Sequence, residues 1–170
     1  MIQYTVITKN ITKIDGNNKL EAILIYAYIK SRENYTTHIL DNLTYEEVHF
    51  HLDVPVQTVK NIVPTLYDNQ YLFKGHEYYY RDNKTYLKYQ FHETYQNFFY
   101  INNNLFKMDN YSKIPTQYVN QVRGLLLLIK AHCLNPNRSL GPISSCDVKV
   151  FSCSPESKEC LPLIHGSHKT

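Results

Sequence analysis

The stretch Leu43-Thr-Tyr-Glu-Glu-Val-His-Phe-His-Leu-Asp-Val-Pro-Val-Gln-Thr-Val-Lys-Asn-Ile-Val-Pro-Thr-Leu66 decides the reading of this chain. Thr44 followed three residues later by Glu47 is a capping box, in which each side chain bonds the other's backbone. It starts a helix at Thr44 that runs to about Leu52. Leu52-Asp-Val-Pro55 breaks that helix, and a proline suits the first turn of the next. Val59, Ile62, Val63 and Leu66 then recur at three- and four-residue steps, the apolar stripe of a second helix. Pro64 removes one backbone bond and clashes with the carbonyl of Lys60, so this helix is expected to kink or end near Val63. Two short helices around a tight turn are the result.

Working outward, Leu20, Ile23, Leu24, Ala27 and Tyr28 give a helix over about Lys19 to Ser31. On the other side the period changes to alternation. Tyr71 to Tyr80 and Thr85 to Phe91 read as strands, with Arg81-Asp-Asn-Lys84 as the turn between them. Helix, helix, turn, helix, hairpin is the order of a winged helix, with the hairpin as the wing.

The chain also repeats itself, and repeats decide architecture. Tyr4-Thr-Val-Ile-Thr-Lys-Asn-Ile-Thr-Lys-Ile-Asp15 aligns with Phe98-Phe-Tyr-Ile-Asn-Asn-Asn-Leu-Phe-Lys-Met-Asp109. An apolar helical segment follows each, Leu20 to Ser31 and Val122 to Cys133. Leu43 to Val48 then aligns with Ile143 to Val148, and Lys60 to Pro64 with Lys158 to Pro162. The expected fold is therefore mainly α with small β wings. It consists of two tandem winged-helix-like modules, residues 1–92 and 93–170, the second lacking its wing.

Composition bounds the function. The 170 residues carry 18 Lys and Arg against 15 Asp and Glu, too small an excess to name a partner. No run approaches the roughly 18 apolar residues of a membrane span, and no leader-like segment opens the chain, so the expected location is the cytoplasm. Cys133, Cys146, Cys153 and Cys160 are then reduced thiols rather than disulfides. Cys146, Cys153 and Cys160 recur every seven residues, without the paired short spacing of a metal site. His49 and His51 point to different faces of one helix. No Gly-rich phosphate loop, Gly-x-Ser-x-Gly or His-Glu-x-x-His occurs, so neither enzyme activity nor a cofactor is expected.

Lys19-Leu-Glu-Ala-Ile-Leu-Ile-Tyr-Ala-Tyr-Ile-Lys-Ser-Arg32 resembles the first helix of the winged-helix domains of plasmid and phage replication initiators. Leu43 to Val48 and Thr58 to Leu66 resemble their helix-turn-helix. Arg123-Gly-Leu-Leu-Leu-Leu-Ile-Lys130, with Ser144 to Val148, resembles the same elements in replisome-organiser proteins. The resemblance implies a double-stranded DNA partner and a role in replication initiation or in regulating a mobile element. The alternatives are a protein-interaction or dimerisation module without DNA binding, and a transcription regulator.

The DNA-facing candidates follow from position. Gln57, Thr58, Lys60 and Asn61 should line the exposed face of the second helix of the pair. Gln and Asn can bond both N6 and N7 of adenine, and Lys a phosphate or guanine. Lys74, Arg81, Lys84 and Lys88 lie on the wing, where phosphate contacts would position the protein. The plainer reading is that these lysines keep exposed strands from pairing at their edges. Glu46, Glu47 and Asp53 weigh against DNA if they face it. In the second copy, Glu156, Ser157, Lys158 and Glu159 suit assembly better than DNA. Its apolar faces at Leu125, Leu126, Ile129, Leu161 and Ile164 would pack on the first module or form a homodimer.

Overall fold

The computed structural model describes residues 4–92 and 97–133, all within one compact unit, Met1–Ser139. The architecture is mixed α/β. The elements are β1 (Tyr4–Thr8), α1 (Lys19–Ser31), β2 (Ile39–Thr44), α2 (Tyr45–Leu52), α3 (Val56–Tyr67), β3 (Phe73–Arg81), β4 (Lys84–Phe91), β5 (Phe98–Asn102) and α4 (Thr116–Cys133). Short 3₁₀ turns follow β1 and β5, over Lys9–Lys13 and Asn103–Phe106, with another at Met108–Tyr111. One antiparallel sheet has the order β2-β4-β3, the other pairs β1 with β5.

The expected fold class, mainly α with two tandem winged-helix modules, is thereby corrected. Residues 98–133 do not form a second module. They complete the core of the first. β5 pairs antiparallel with β1, and α4 packs on α1. The pairing is centred on Val6 opposite Tyr100, which are equivalent residues of the repeat. Ile7 meets Phe99 and Thr5 meets Ile101, so the two copies are related by a local two-fold. Their local chemistry matches too. The Thr8 hydroxyl accepts from the Asn10 amide at 3.2 Å, and Asn102 Oδ1 from the Asn104 amide at 2.9 Å, so each copy caps its 3₁₀ turn alike. The later repeat segments, Ile143 to Val148 and Lys158 to Pro162, lie outside the described residues, as do Cys146, Cys153, Cys160, Leu161, Ile164 and the Glu156–Glu159 face.

α1 is the centre of the unit. Every residue from Ala22 to Lys30 is buried, as expected of a helix that is apolar all round. Tyr26 meets Phe73 and Phe91 edge-on, with ring centroids 5.6 and 6.2 Å apart. Lys30 ends this buried run. Its ammonium bonds Glu33 at 2.5 Å and lies 4.5 Å from the centre of the Phe91 ring. A buried charge persists when it is paired in this way.

Two local expectations change. α3 does not end at Val63 but continues through Pro64 to Tyr67. Pro64 is on the exposed side, where water can satisfy the freed carbonyl, while Val63 and Leu66 stay buried. β2 is an added strand between α1 and α2. Its pairing with β4 is broken by a bulge between Leu40 and Leu43, where Asn42 sits at φ 62°.

Candidate nucleic-acid interface

The helix-turn-helix is held by side chains as well as backbone. Thr44 Oγ1 accepts from the Glu47 amide at 3.1 Å, and Glu47 Oε2 accepts from the Thr44 amide at 2.8 Å. The capping box is complete, and Glu47 is turned back onto its own helix rather than outward. Glu46 remains exposed. Asp53 closes α2 in the left-handed region, at φ 56°, with its amide bonded to the His49 carbonyl at 2.8 Å. His49 Nδ1 sits 2.9 Å from the Val54 carbonyl and ties α2 to the start of α3. His51 instead lies against Tyr28, 5.5 Å between centroids.

α3 buries Val59, Ile62, Val63 and Leu66 and exposes Gln57, Lys60, Asn61, Pro64 and Thr65. Gln57, Lys60, Asn61 and Pro64 fall within one face at 3.6 residues per turn. Gln57 Nε2 donates to Asn61 Oδ1 at 2.9 Å. The pair therefore presents a Gln57 carbonyl and an Asn61 amino group outward, an acceptor beside a donor. The Lys60 ammonium lies 5.9 Å from the centre of the Tyr45 ring. Thr58 is off this face. It is half-buried and lines a cleft with Asn18, Glu21 and Gln117, towards the starts of α1 and α4.

The hairpin turns on Asp82 and Asn83, both at positive φ (51° and 59°), the backbone of a type I′ turn. Its register separates the candidate cations from α3. Opposed residues share a face, and Arg81 opposes Lys84, Tyr79 opposes Tyr86 and Glu77 opposes Lys88. Arg81, Lys84 and Lys88 therefore lie on one face. Lys88 pairs with Glu77 at 3.4 Å. The Arg81 guanidinium is 4.9 Å from the Tyr86 ring centre, and its Nε is 3.8 Å from Asp82. The Tyr79 hydroxyl donates to Asn42 Oδ1 and ties this face to the β2 bulge. Lys74 lies at the opposite end of β3 from the turn.

The other face carries His76, Tyr78 and Tyr80. Tyr67, from the end of α3, stacks on His76 at 4.0 Å and meets Tyr78 and Tyr89 at 5.2 Å. Burial, with the hydroxyls of its tyrosine neighbours, raises Tyr67 above the ordinary tyrosine range. Burial and then Tyr78 do the same for Tyr45. Tyr80 projects beyond this cluster and is 79% exposed. The surface of the hairpin next to α3 is thus aromatic, and the basic surface is on the reverse. Gln57, Lys60 and Asn61 come together. Arg81, Lys84 and Lys88 come together. The two sets do not share a face.

The alternation His76, Tyr78, Tyr80 was visible in the sequence as one side of a strand. What it could not show is which side α3 would cover. Compared with known proteins, the chain matches no family model, no curated protein and no solved structure.

Proposed function

We propose that this protein binds double-stranded DNA through its helix-turn-helix. α3 is the element placed against base edges, with the aromatic face of the β3–β4 hairpin beside it. The observation that supports the reading most is the α3 face. A donor–acceptor pair, Gln57 with Asn61, stands beside Lys60 on a helix tied to α2 by the contact of His49 with the Val54 carbonyl. Amide side chains so displayed match adenine in the major groove, and Lys60 suits phosphate or guanine. On the α3 side of the hairpin tip Tyr80 offers a ring and a hydroxyl, whereas Arg81, Lys84 and Lys88 lie on the reverse face, so Lys60 is the cation that this reading places at the backbone. The resemblance of Lys19 to Arg32 and of Leu43 to Val48 to replication initiators supports a role in replication initiation or in the regulation of a mobile element. The compartment that fits is the cytoplasm, consistent with there being no helix among the described residues long and apolar enough to cross a membrane.

The test is a gel shift of the full chain with AT-rich duplexes at two salt concentrations. Binding should weaken as salt rises, because phosphate neutralisation releases counterions. No shift at the lower salt removes the proposal.

A second reading, a protein-interaction module that binds no DNA, is favoured by one observation. α4 exposes Tyr118, Leu125 and Ile129 along its outer side, with Leu125 44% and Ile129 49% exposed. A homodimer through this helix is the form that reading takes. Sedimentation over a range of protein concentrations separates it from the first.

A further inference from the structure

Among the described residues, Arg123 is the largest side chain shut off from solvent, at 0% exposure. No ion pair among the described residues includes it. Its Nη2 donates to the Leu52 carbonyl at 3.3 Å. Nη1 and Nη2 approach Met108 Sδ at 3.4 and 3.2 Å, and the guanidinium lies 5.6 Å from the Tyr111 ring centre. Nε has no partner among the described residues. Burial pulls the group below the ordinary arginine range, with Tyr111 and Asp53 acting against that. A buried cation with no carboxylate in hydrogen-bond reach needs negative potential beyond what Asp53 gives from a distance.

Leu52 supplies it. It is the last residue of α2, where helix carbonyls lack intrahelical partners and the helix dipole is negative. One turn earlier on α4, Asn120 Nδ2 donates to the carbonyl of Asp53 at 3.3 Å. Two side chains of α4, three residues apart, therefore hold two consecutive carbonyls of the turn between α2 and α3. Gly124 brings α4 in this close. A Cβ there would lie 2.2 Å from the Leu20 carbonyl oxygen, so only glycine permits the approach.

We infer that Arg123 is a positioning residue of the helix-turn-helix. Together with Asn120 it fixes the α2–α3 turn from behind and so sets how α3 presents Gln57, Lys60 and Asn61 to duplex DNA. The role in presentation rests on the DNA-binding reading, whereas the hold on the turn does not.

The test uses the full chain, with Arg123→Met, Arg123→Lys and Asn120→Leu. The first readout needs no DNA. Exchange of the Asp53 and Val59 amides should quicken by about tenfold in Arg123→Met, while Ile7 in the β1–β5 pair keeps its protection. The second readout is preference for a selected duplex over a scrambled one. It should fall by about tenfold with the salt slope unchanged, since base contacts are misplaced and phosphate contacts kept. Arg123→Lys should restore part of both, because it returns a cation to the Leu52 carbonyl. Should Arg123→Met not fold, Asn120→Leu carries the same two readouts without emptying a charge site. A folded variant with unchanged exchange at Asp53 and Val59 overturns the inference. Faster exchange in variants of a wild-type chain that binds no duplex overturns the DNA reading alone, and the hold on the turn stands.

Discussion

α1 and α4 are equivalent helices of one repeat, yet they are used differently. α1 buries every residue from Ala22 to Lys30, whereas α4 buries Val119, Arg123, Gly124, Leu127 and Ala131 and leaves Leu125 and Ile129 outward. Both carry apolar runs of similar character, Ala-Ile-Leu-Ile-Tyr-Ala in one and Leu-Leu-Leu-Leu-Ile in the other. The difference is in what covers them. α1 has α4 on one side and α2, α3 and β2 on others. α4 has α1, the 3₁₀ turn over Lys9–Lys13 and β5 on one side, and reaches the α2–α3 turn through Asn120 and Arg123, while Leu125 and Ile129 stay outward. Apolar character states that a helix wants burial; the topology decides how many sides receive it.

The comparison breaks most severely by removing the second copy. Residues 1–92 alone lose β5 from β1 and α4 from α1, stripping the rear of a helix that is buried all round. We expect this fragment to show no cooperative thermal unfolding by circular dichroism. A sharp transition close to that of the full chain would mean that the first copy is self-sufficient and that the shared core has little energetic weight.

Single substitutions on α4 sharpen the same point. Leu127 is buried and Leu125 faces outward, two residues and so little more than half a helical turn apart. Leu127→Ala should cost about 3 kcal/mol of unfolding free energy, and Leu125→Ala less than about 0.5 kcal/mol. Gly124→Ala should also destabilise, by about 2 kcal/mol, since its Cβ meets backbone that does not yield easily. Gly75→Ala, with open space at its Cβ, is the control. Urea titration measures all four.

Much of this arrangement was legible beforehand. The ends of α1 and the capping box of α2 follow from local chemistry, because caps and apolar periods act over a few residues. β2 was not legible. Asp41 and Asn42 interrupt its alternation at the bulge, and a strand so short and polar carries no signal of its own. The repeat was visible but its meaning was not. A five-residue strand does not say whether its partner lies in its own module or in its twin, and Val6 pairs with its twin at Tyr100. In the candidate site, helical period picked out Gln57, Lys60 and Asn61 and misplaced Thr58, which sits at the edge of the stripe. For the hairpin, sequence parity groups Arg81 and the tyrosines into opposite faces, but only the docking of Tyr67 tells which face adjoins α3. In the sequence Arg123 belongs to an apolar helical segment, Val122 to Cys133. Nothing local marks an arginine whose partner is a carbonyl 71 residues away.

A smaller effect separates the two helices by pH. Burial, then Glu33, raises Tyr26 above the ordinary tyrosine range. Burial raises Tyr28 to about 12, with Arg32 opposing and Glu47 assisting. Folding therefore favours the neutral phenols. Their contribution is complete below the unfolded value of about 10 and is lost as pH rises through the folded values. Lys30, lowered by burial against its Glu33 bond, has the opposite sign below its ordinary value of 10.5. Urea midpoints should fall between about pH 10 and 12, and less so in Tyr26→Phe. A flat alkaline limb would contradict the burial of α1 on all sides.

The central claim is that this shared core serves to present α3 to DNA. Fluorescence anisotropy of the full chain on a selected duplex, its scrambled counterpart and two salt concentrations tests it most directly. Asn61→Ala should reduce the preference between duplexes by about 1–3 kcal/mol and leave the salt slope alone. Lys60→Ala should weaken both duplexes alike and flatten the slope. Equal loss on both duplexes from Asn61→Ala, or no binding by the intact chain at low salt, would contradict the account.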